Sequence, residues 1–228
     1  MATRCYFDSA ATPDISPAVA AEWDVATHLT RRTLNMAKGS SAREDTGTLL
    51  QEPNTMTTSN NDLVQGQHIS PELAAQTISG TFKCYLQCRQ SNAAANWRSQ
   101  IIIRVVSHDG GTVRGTLYAG NLATLTGDPS GEWNSSTSAE VSRSFPFGGS
   151  TALSSLAISD RDRIVVETGA RQHNTQSTIR NGAIVYGEPA TGDLPENETE
   201  TRRTWRGGSS SRGISGCMCP RRRGWARA

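Results

Sequence analysis

Long hydrophobic runs are missing from this 228-residue sequence, of which 35% is apolar. Nothing approaches the roughly 18 consecutive apolar residues that a membrane-spanning helix needs. The opening stretch, MATRCYFDSAATPD, lacks the basic segment followed by an apolar one that marks a secretory signal. The sequence therefore predicts a soluble protein with no membrane partner.

Motifs of catalysis and cofactor binding are also missing: there is no Gly-rich phosphate loop, GxSxG elbow, HExxH helix or CxxC pair. The D-x-D of Asp160 and Asp162 is more typical of a turn than of a calcium site. The histidines lie scattered in turns or polar settings, which favours solvated or locally hydrogen-bonded side chains over metal ligands: His28, His68, His108 and His173. We therefore predict no catalytic residue, no metal, no cofactor and no enzyme, although paired glycosidase carboxylates are placed by the fold and leave no mark in spacing.

The five cysteines do not form a disulfide framework. Cys84 and Cys88 fall on one face of a predicted strand about 13 Å apart, roughly twice the separation that a disulfide tolerates. They are interpreted as small core side chains in a reducing compartment. Cys217 and Cys219 supply two of the four ligands of a structural zinc site, and we interpret them as unpaired thiols.

The net charge of +2 hides an asymmetry, because residues 201–228 hold eight arginines and no acidic side chain. The other 200 residues carry 15 basic and 21 acidic side chains, a net charge of −6. Nonspecific contact with nucleic acid is therefore expected of the tail only.

Residues 78–119 alternate most clearly between apolar and polar side chains and predict three successive strands. Ile101, Ile103 and Val105 share the inner face of the second strand, opposite outward polar side chains such as Arg104. The apolar exceptions Ile102 and Val106 lie on the outer face and indicate a second covering layer. The stretch from 108 to 111, HDGG, supplies the positive φ that a tight hairpin needs.

The remaining sequence predicts further short strands, including 62–69 and a pair formed by 163–171 and 178–187, with a helical turn at 70–73. Roughly nine or ten strands joined by polar loops are typical of an antiparallel β-sandwich, jelly-roll-like. We predict one such domain over residues 1–200.

The tail, residues 201–228, breaks this alternation, and we expect no sheet strand from it. One interpretation is a disordered basic arm. The other is a frameshifted end, because TWRGGSSSR can be encoded by bases that give LARWIEFS two nucleotides later. Either way, its removal is expected to leave stability nearly unchanged.

The run AAQTISGTFKCYLQCRQSNAAANWRSQIIIRVVSHDGGTVRGTLYAG, with the later RSFPF, DRIVVETGARQHNTQSTIRNGAIVYG and DLPENET, resembles uncharacterised β-sandwich proteins of tailed bacteriophages and prophages. The resemblance covers about residues 60–200. Similar sequences end in a strand with a W-I-E-F-like run, which this chain lacks in frame. The resemblance implies a structural component of the head or tail, located in the virion and made in the host cytoplasm.

Two main functions follow as expectations. The first is a virion structural protein, with other virion proteins or further copies of itself as partners. The alternative is a carbohydrate-binding module, with a host surface glycan as partner; its ligand-contact candidates are Trp133 and Tyr118, because sugar binders need exposed aromatic platforms. Trp97 alternates with the isoleucines and is assigned to the core. A hydrolytic enzyme is the third reading.

Overall fold

The computed structural model describes residues 3–7, 11–24, 26, 29–35, 50–51, 61–90, 97–119, 133, 141–145, 151–172, 181–185 and 216–219. Every regular element within these ranges is a strand. The predicted all-β class is therefore confirmed for the described part of the chain. In these same residues no helix has the length and apolar character needed to cross a membrane.

Twelve strands are found in the described residues. Their bounds are Thr3–Tyr6 (β1), Thr30–Thr33 (β2), Leu50–Gln51 (β3), Asn61–Ile69 (β4), Gln76–Gln90 (β5), Trp97–Val106 (β6), Val113–Ala119 (β7), Val141–Phe145 (β8), Thr151–Ile158 (β9), Arg163–Gln172 (β10), Asn181–Val185 (β11) and Gly216–Cys219 (β12).

The strands form two hydrogen-bonded sheets. The five-stranded sheet has the order β2-β4-β10-β6-β7, in which only β2 and β4 run parallel. The seven-stranded sheet has the order β1-β12-β5-β11-β3, with β8 and β9 also paired to β5. The chain changes sheet after most strands, so neighbours in one sheet are mostly distant in sequence.

The long strand β5 organises the seven-stranded sheet. Both β8 and β12 pair with Cys84, so they lie on opposite edges of β5. The N-terminal half of β5 pairs with β9, and a bulge between Ile78 and Gly80 interrupts that ladder, with Gly80 at φ 112°. A glycine tolerates this backbone conformation because it has no Cβ.

One apolar cluster receives side chains from both sheets. From β5 come Phe82, Cys84, Leu86 and Cys88, and from the five-stranded sheet come Trp97, Ile101, Ile103, Val105, Val166 and Ala170. Cys84 and Cys88 are fully buried, as is Trp97, which confirms the core positions predicted for all three. Successive side chains of a strand alternate between faces, which explains why Trp97, Ile101, Ile103 and Val105 of β6 all belong to this cluster.

A bulge in β4 ties the sheets together. Val64 and Gly66 pair with successive residues of β10, so Gln65 is the extra residue. The bulge turns the Gln65 side chain toward β11, where its amide donates to the Ile184 carbonyl (2.8 Å) and accepts from the Ile184 N–H (2.7 Å). A bulge commonly re-aims a side chain in this way.

Residues 11–24, here called the strap, cover the outer face of the five-stranded sheet. Ala20 and Trp23 pack with Val64 and Ile102 in one apolar cluster. Ile15 packs against a second cluster of Ile69, Val106 and Val165. The covering layer predicted from Ile102 and Val106 is therefore confirmed, and the strap is that layer.

Tight turns lie where the sequence predicts them. Gly110 has φ 76° in the β6–β7 hairpin, and the Ser107 N–H donates to the Thr112 carbonyl at 2.8 Å. At the other predicted turn, Arg161 has φ 66°, and the Asp162 carboxylate accepts the Ser159 N–H at 2.8 Å. The D-x-D therefore serves as a turn.

Three expectations about local structure are wrong. Residues 70–73 are not helical, because the Ser70 hydroxyl accepts the Ile164 N–H and the Leu73 backbone bonds to the 161–162 turn. Strand β11 pairs with β3 and β5 instead of β10, whose two edges are taken by β4 and β6. Gly216–Cys219 of the tail does form a strand, between β1 and β5.

Candidate functional site

The two sequence-predicted ligand contacts lie inside or against the core. Trp133 is fully buried, its indole N–H donates to the Ser99 hydroxyl at 2.9 Å, and its ring stacks on Trp97 with centroids 6.0 Å apart. Tyr118 is half-buried against Phe82, at a centroid distance of 4.7 Å, and partial burial raises the pKa of its phenol. Trp133 is thus not an exposed platform, and the two side chains belong to separate aromatic contacts.

The most concentrated polar chemistry in the described part of the chain lies beneath the strap, at Glu167. This side chain projects from the outer face of β10 and is completely buried. Four donor groups converge on its carboxylate. They are the Arg104 guanidinium (2.5 Å), the Trp23 indole N–H (2.8 Å), the Gln67 amide (2.9 Å) and the Ala20 backbone N–H (3.2 Å to the nearer oxygen).

The neighbours of Glu167 also contact the strap backbone. Arg104 Nη2 donates to the Ala18 carbonyl at 2.7 Å, and the Gln67 amide donates to the Pro17 carbonyl at 3.3 Å. Arg31 of β2 in turn donates to the Gln67 amide oxygen at 2.9 Å. Buried charges are stable only when they are paired and hydrogen-bonded. The Glu167 carboxylate meets this condition, whereas Arg104 is paired through Nη2 and its buried Nε has no hydrogen-bond partner.

Two further ion pairs flank Glu167 on the same face of β10, four residues to either side. Arg163 donates to both Asp14 carboxylate oxygens at 2.7 Å, and this contact holds the pKa of Asp14 below its usual range. Arg171 pairs with Asp62, which raises the pKa of Arg171. Because alternate residues of a strand share a face, Arg163, Glu167 and Arg171 form one row along the strap.

The far end of the strap lies at the third pair. The Asp24 carboxylate accepts the Asp62 N–H at 2.8 Å, and the Asp24 N–H donates to the Asp62 carbonyl at 2.8 Å. The strap therefore meets the row in order, with Asp14 at Arg163, residues 17–23 around Glu167, and Asp24 beside Arg171. We call this strip, Arg163, Glu167 and Arg171 with Arg104 and Gln67, the strap site.

The inner face of the same sheet holds a buried histidine. The ring of His68 packs on Phe7 at a centroid distance of 4.5 Å. Burial lowers the pKa of His68 from 6.5 to about 3, and the nearby Arg32 charge adds to this shift. Of the two settings expected for the histidines, solvation is wrong for His68, which is buried, whereas His108 is exposed in its turn. His28 and His173 lie outside the described residues.

Metal chemistry has no candidate in the part of the chain that the structure describes. There, no three side chains of His, Cys, Asp or Glu are grouped so that they could hold an ion. The carboxylate of Glu167 is occupied by its four donors, so the strap site holds residues 11–24 on the sheet by hydrogen bonds and charge.

Sequence reasoning indicated a covering layer from Ile102 and Val106 but did not identify residues 11–24 as that layer, so it missed the strap site. The signal for Glu167 was its place amid the apolar run from Ile164 to Ala170, where two flanking arginines are four residues away. Arg104 also faces outward as predicted, yet it is buried, since the strap covers it. Trp23 lies in a segment without apolar–polar alternation, so the sequence did not indicate that it is buried against the sheet.

No family model matches this chain, and no curated protein is similar to it. Two crystal structures of a CocE/NonD family hydrolase from Staphylococcus aureus are similar in backbone, with TM-scores of 0.43 and 0.46 at 13% and 12% sequence identity. The matches cover 82% and 96% of this chain but 34% and 36% of the other two chains. This chain thus spans about a third of the length of the structures that it matches.

We predicted that the chain is not an enzyme. Both neighbours carry the name of a hydrolase family, so this prediction is corrected and withdrawn. With TM-scores below 0.5, the likeness assigns no reaction to this chain. The reading of the strap site therefore depends on its own geometry.

Proposed function

We propose that the chain is a structural protein of a phage virion, in the head or tail, that acts through contacts with other virion proteins or with copies of itself. The proposal depends on the resemblance of residues 60–200 to β-sandwich proteins of tailed phages. It is supported by the all-β described part, in which buried charges such as Glu167 and Arg104 fix the strap as a covering layer.

The proposed architecture is a β-sandwich of jelly-roll type, with the two sheets as its layers. The shared apolar cluster supports this, as does the contact of Cys88 Sγ in one sheet with Ser99 Oγ in the other at 3.6 Å. The repeated crossing of the chain between sheets is typical of such folds. A rigid body of this kind presents loops and sheet edges to partners.

The observation that carries the structural role over the carbohydrate-binding alternative is the burial of Trp133. A sugar platform needs an exposed aromatic face, whereas the ring of this tryptophan stacks on Trp97 and its indole N–H bonds to Ser99. Tyr118 retains partial exposure but packs between Phe82 and Phe145. A second function is therefore not proposed.

The test is to search for the protein in purified particles. Particles from the phage or prophage that carries the gene are banded in a density gradient, and each fraction is analysed by quantitative mass spectrometry and by immunogold labelling. We expect the protein to peak with the particles at many copies each. A protein that stays in the lysate, away from the particle band, would contradict the proposal.

A further inference from the structure

The contact between the strap and the sheet has the composition of a peptide complex more than that of a hydrophobic core. At its centre one tryptophan, Trp23, is buried and bonded to a charged group, Glu167. Small apolar side chains surround it, including Ala20 and Val19. Interfaces between proteins commonly have this form, with an aromatic anchor in a desolvated pocket.

The strap site recognises both the backbone and the side chains of the strap. The Ala20 N–H and the carbonyls of Pro17 and Ala18 all bond to side chains of the sheet. The turn in which the Trp23 N–H donates to the Ala20 carbonyl, at 3.3 Å, brings the indole and the Ala20 N–H to the same carboxylate. Any segment with this backbone path and a tryptophan at the same position would make these bonds.

The spacing of the charged groups gives the site a direction, because the charge order alone is the same from both ends. Along β10 the site presents cation, anion and cation at Arg163, Glu167 and Arg171. The strap presents a carboxylate at Asp14, two N–H donors at residues 20 and 23, and a second carboxylate at Asp24. Reversal of the strap would bring its N–H donors away from Glu167, so only one orientation satisfies all three positions.

An undocked strap would leave a site that water can satisfy. Arg104 of β6 and Glu167 of β10 both belong to the sheet, so they would stay paired after the strap leaves. Water would replace the hydrogen bonds that Trp23 and Ala20 donate. Release also exposes the apolar side chains that the strap covers: Val64 and Ile102 beside Trp23, and Ile69, Val106 and Val165 beside Ile15. Because exposed apolar surface is unfavourable in water, an open site favours being covered again by a strap, whether it comes from the same chain or from another copy.

We propose that the strap site accepts the strap of a second copy of this chain, so that copies join by exchanging residues 11–24. The bonds are identical whether the strap comes from the same chain or from another, which is the condition for exchange of an element between protomers. This inference rests on the proposed structural role, because it names the contact through which copies would associate.

The test mixes two full-length variants that are each defective in one half of the contact. Trp23→Ala removes the anchor of the strap and keeps the site, whereas Glu167→Gln keeps the strap and removes the carboxylate. Circular dichroism establishes that each is folded. By sedimentation velocity we expect each variant alone to be monomeric and the equimolar mixture to contain a one-to-one complex, because only the mixture joins an intact strap to an intact site.

A synthetic peptide of residues 11–24 provides the second measurement, which does not depend on the folding of Glu167→Gln. We expect the labelled peptide to bind full-length Trp23→Ala at least tenfold more tightly than wild type, whose own strap competes. A peptide with alanine at position 23 should not bind. The matched control is Val113→Ala, at an exposed position outside the strap site, which should bind peptide as wild type does.

Either of two results would overturn the exchange: a mixture that sediments as the sum of its components while the peptide does not bind, or a scrambled peptide that binds as well as the native one. Absence of the protein from phage particles would contradict the proposed function alone, since the mixing result is measured on purified chains. The two failures are thereby distinguishable.

Discussion

Gly169 is a position where any side chain should be costly. It lies in β10 at the bulge with β4, and a Cβ added there would come 2.0 Å from the Leu63 carbonyl oxygen and 2.9 Å from the Trp23 ring. A carbon and a carbonyl oxygen ordinarily approach no closer than about 3.3 Å. The Leu63 carbonyl would therefore have to move by more than about 1 Å, although Leu63 is held opposite Ala170 in the ladder.

The expected cost of Gly169→Ala follows from two contributions. Overpacking of this kind costs about 1–3 kcal/mol. Disturbing one or two ladder hydrogen bonds adds about 1 kcal/mol each. We expect a loss of about 4 kcal/mol in the free energy of unfolding, which corresponds to a melting temperature lower by roughly 8–16 °C for a chain of this size.

Gly111→Ala is the matched control for Gly169→Ala. Its added Cβ would meet nothing closer than the Asp109 carboxylate at 3.5 Å, an ordinary contact. Alanine there should be neutral or should stabilise by up to about 1 kcal/mol, because it restricts the unfolded chain. Urea titration and thermal melting of both variants are the measurements, and equal stability of the two would refute the β4–β10 register and the close approach of the strap.

Three further predictions concern the buried groups and the tail. Stability should fall as the pH drops from about 6.5 toward 3, because the folded state resists protonation of His68 while the unfolded state does not; the loss is about 1.4 kcal/mol per pH unit. His68→Phe should remove this slope and the exposed control His108→Asn should keep it, so equal acid sensitivity of both variants in urea titrations would exclude His68 as the cause. Arg104→Leu should cost about 3–5 kcal/mol by leaving Glu167 uncompensated, and the double replacement of both by leucine should cost clearly less than the sum of the single ones; additive losses would contradict the pairing. Truncation after Glu200 should now destabilise by more than about 2 kcal/mol, since it removes β12 from between two strands, and an unchanged melting midpoint would show that β12 contributes nothing.

The inner face of the fold could be predicted because its signal is local. Alternation along residues 78–119 placed Phe82, Cys84, Ile101 and Ile103 on buried faces without any knowledge of their partners. Hairpin chemistry located Gly110 for the same reason, since a turn depends on a few adjacent residues. Strand pairing could not be predicted in the same way. The pairing of β11 with β5 uses backbone N–H and C=O groups, and because every sequence has these groups, they do not identify the partner strand.

The outer face shows why alternation cannot decide burial. The period of the strand correctly assigns Arg104 and Glu167 to the outer face. A side chain on the outer face is nevertheless buried when another segment lies above it. The covering segment, residues 11–24, has two prolines and no period, so its docking is specified by side-chain hydrogen bonds to residues between 38 and 149 positions away in sequence. Only the apolar exceptions Ile102 and Val106 signalled that a layer was there.

The row of ion pairs under the strap is best understood as fixing position instead of adding stability. A buried ion pair seldom stabilises a protein more than well-packed apolar residues of the same volume would. Val19 and Ala20 of the strap are small and similar, so they do little to fix its register, which depends on Ile15, Trp23 and the ion pairs. A one-residue slip would take Asp14 away from Arg163 and the Trp23 indole away from Glu167 together. Desolvated charges left without partners make such slips costly, and a strap exchanged between copies would arrive in the same register as one that folds back on its own chain.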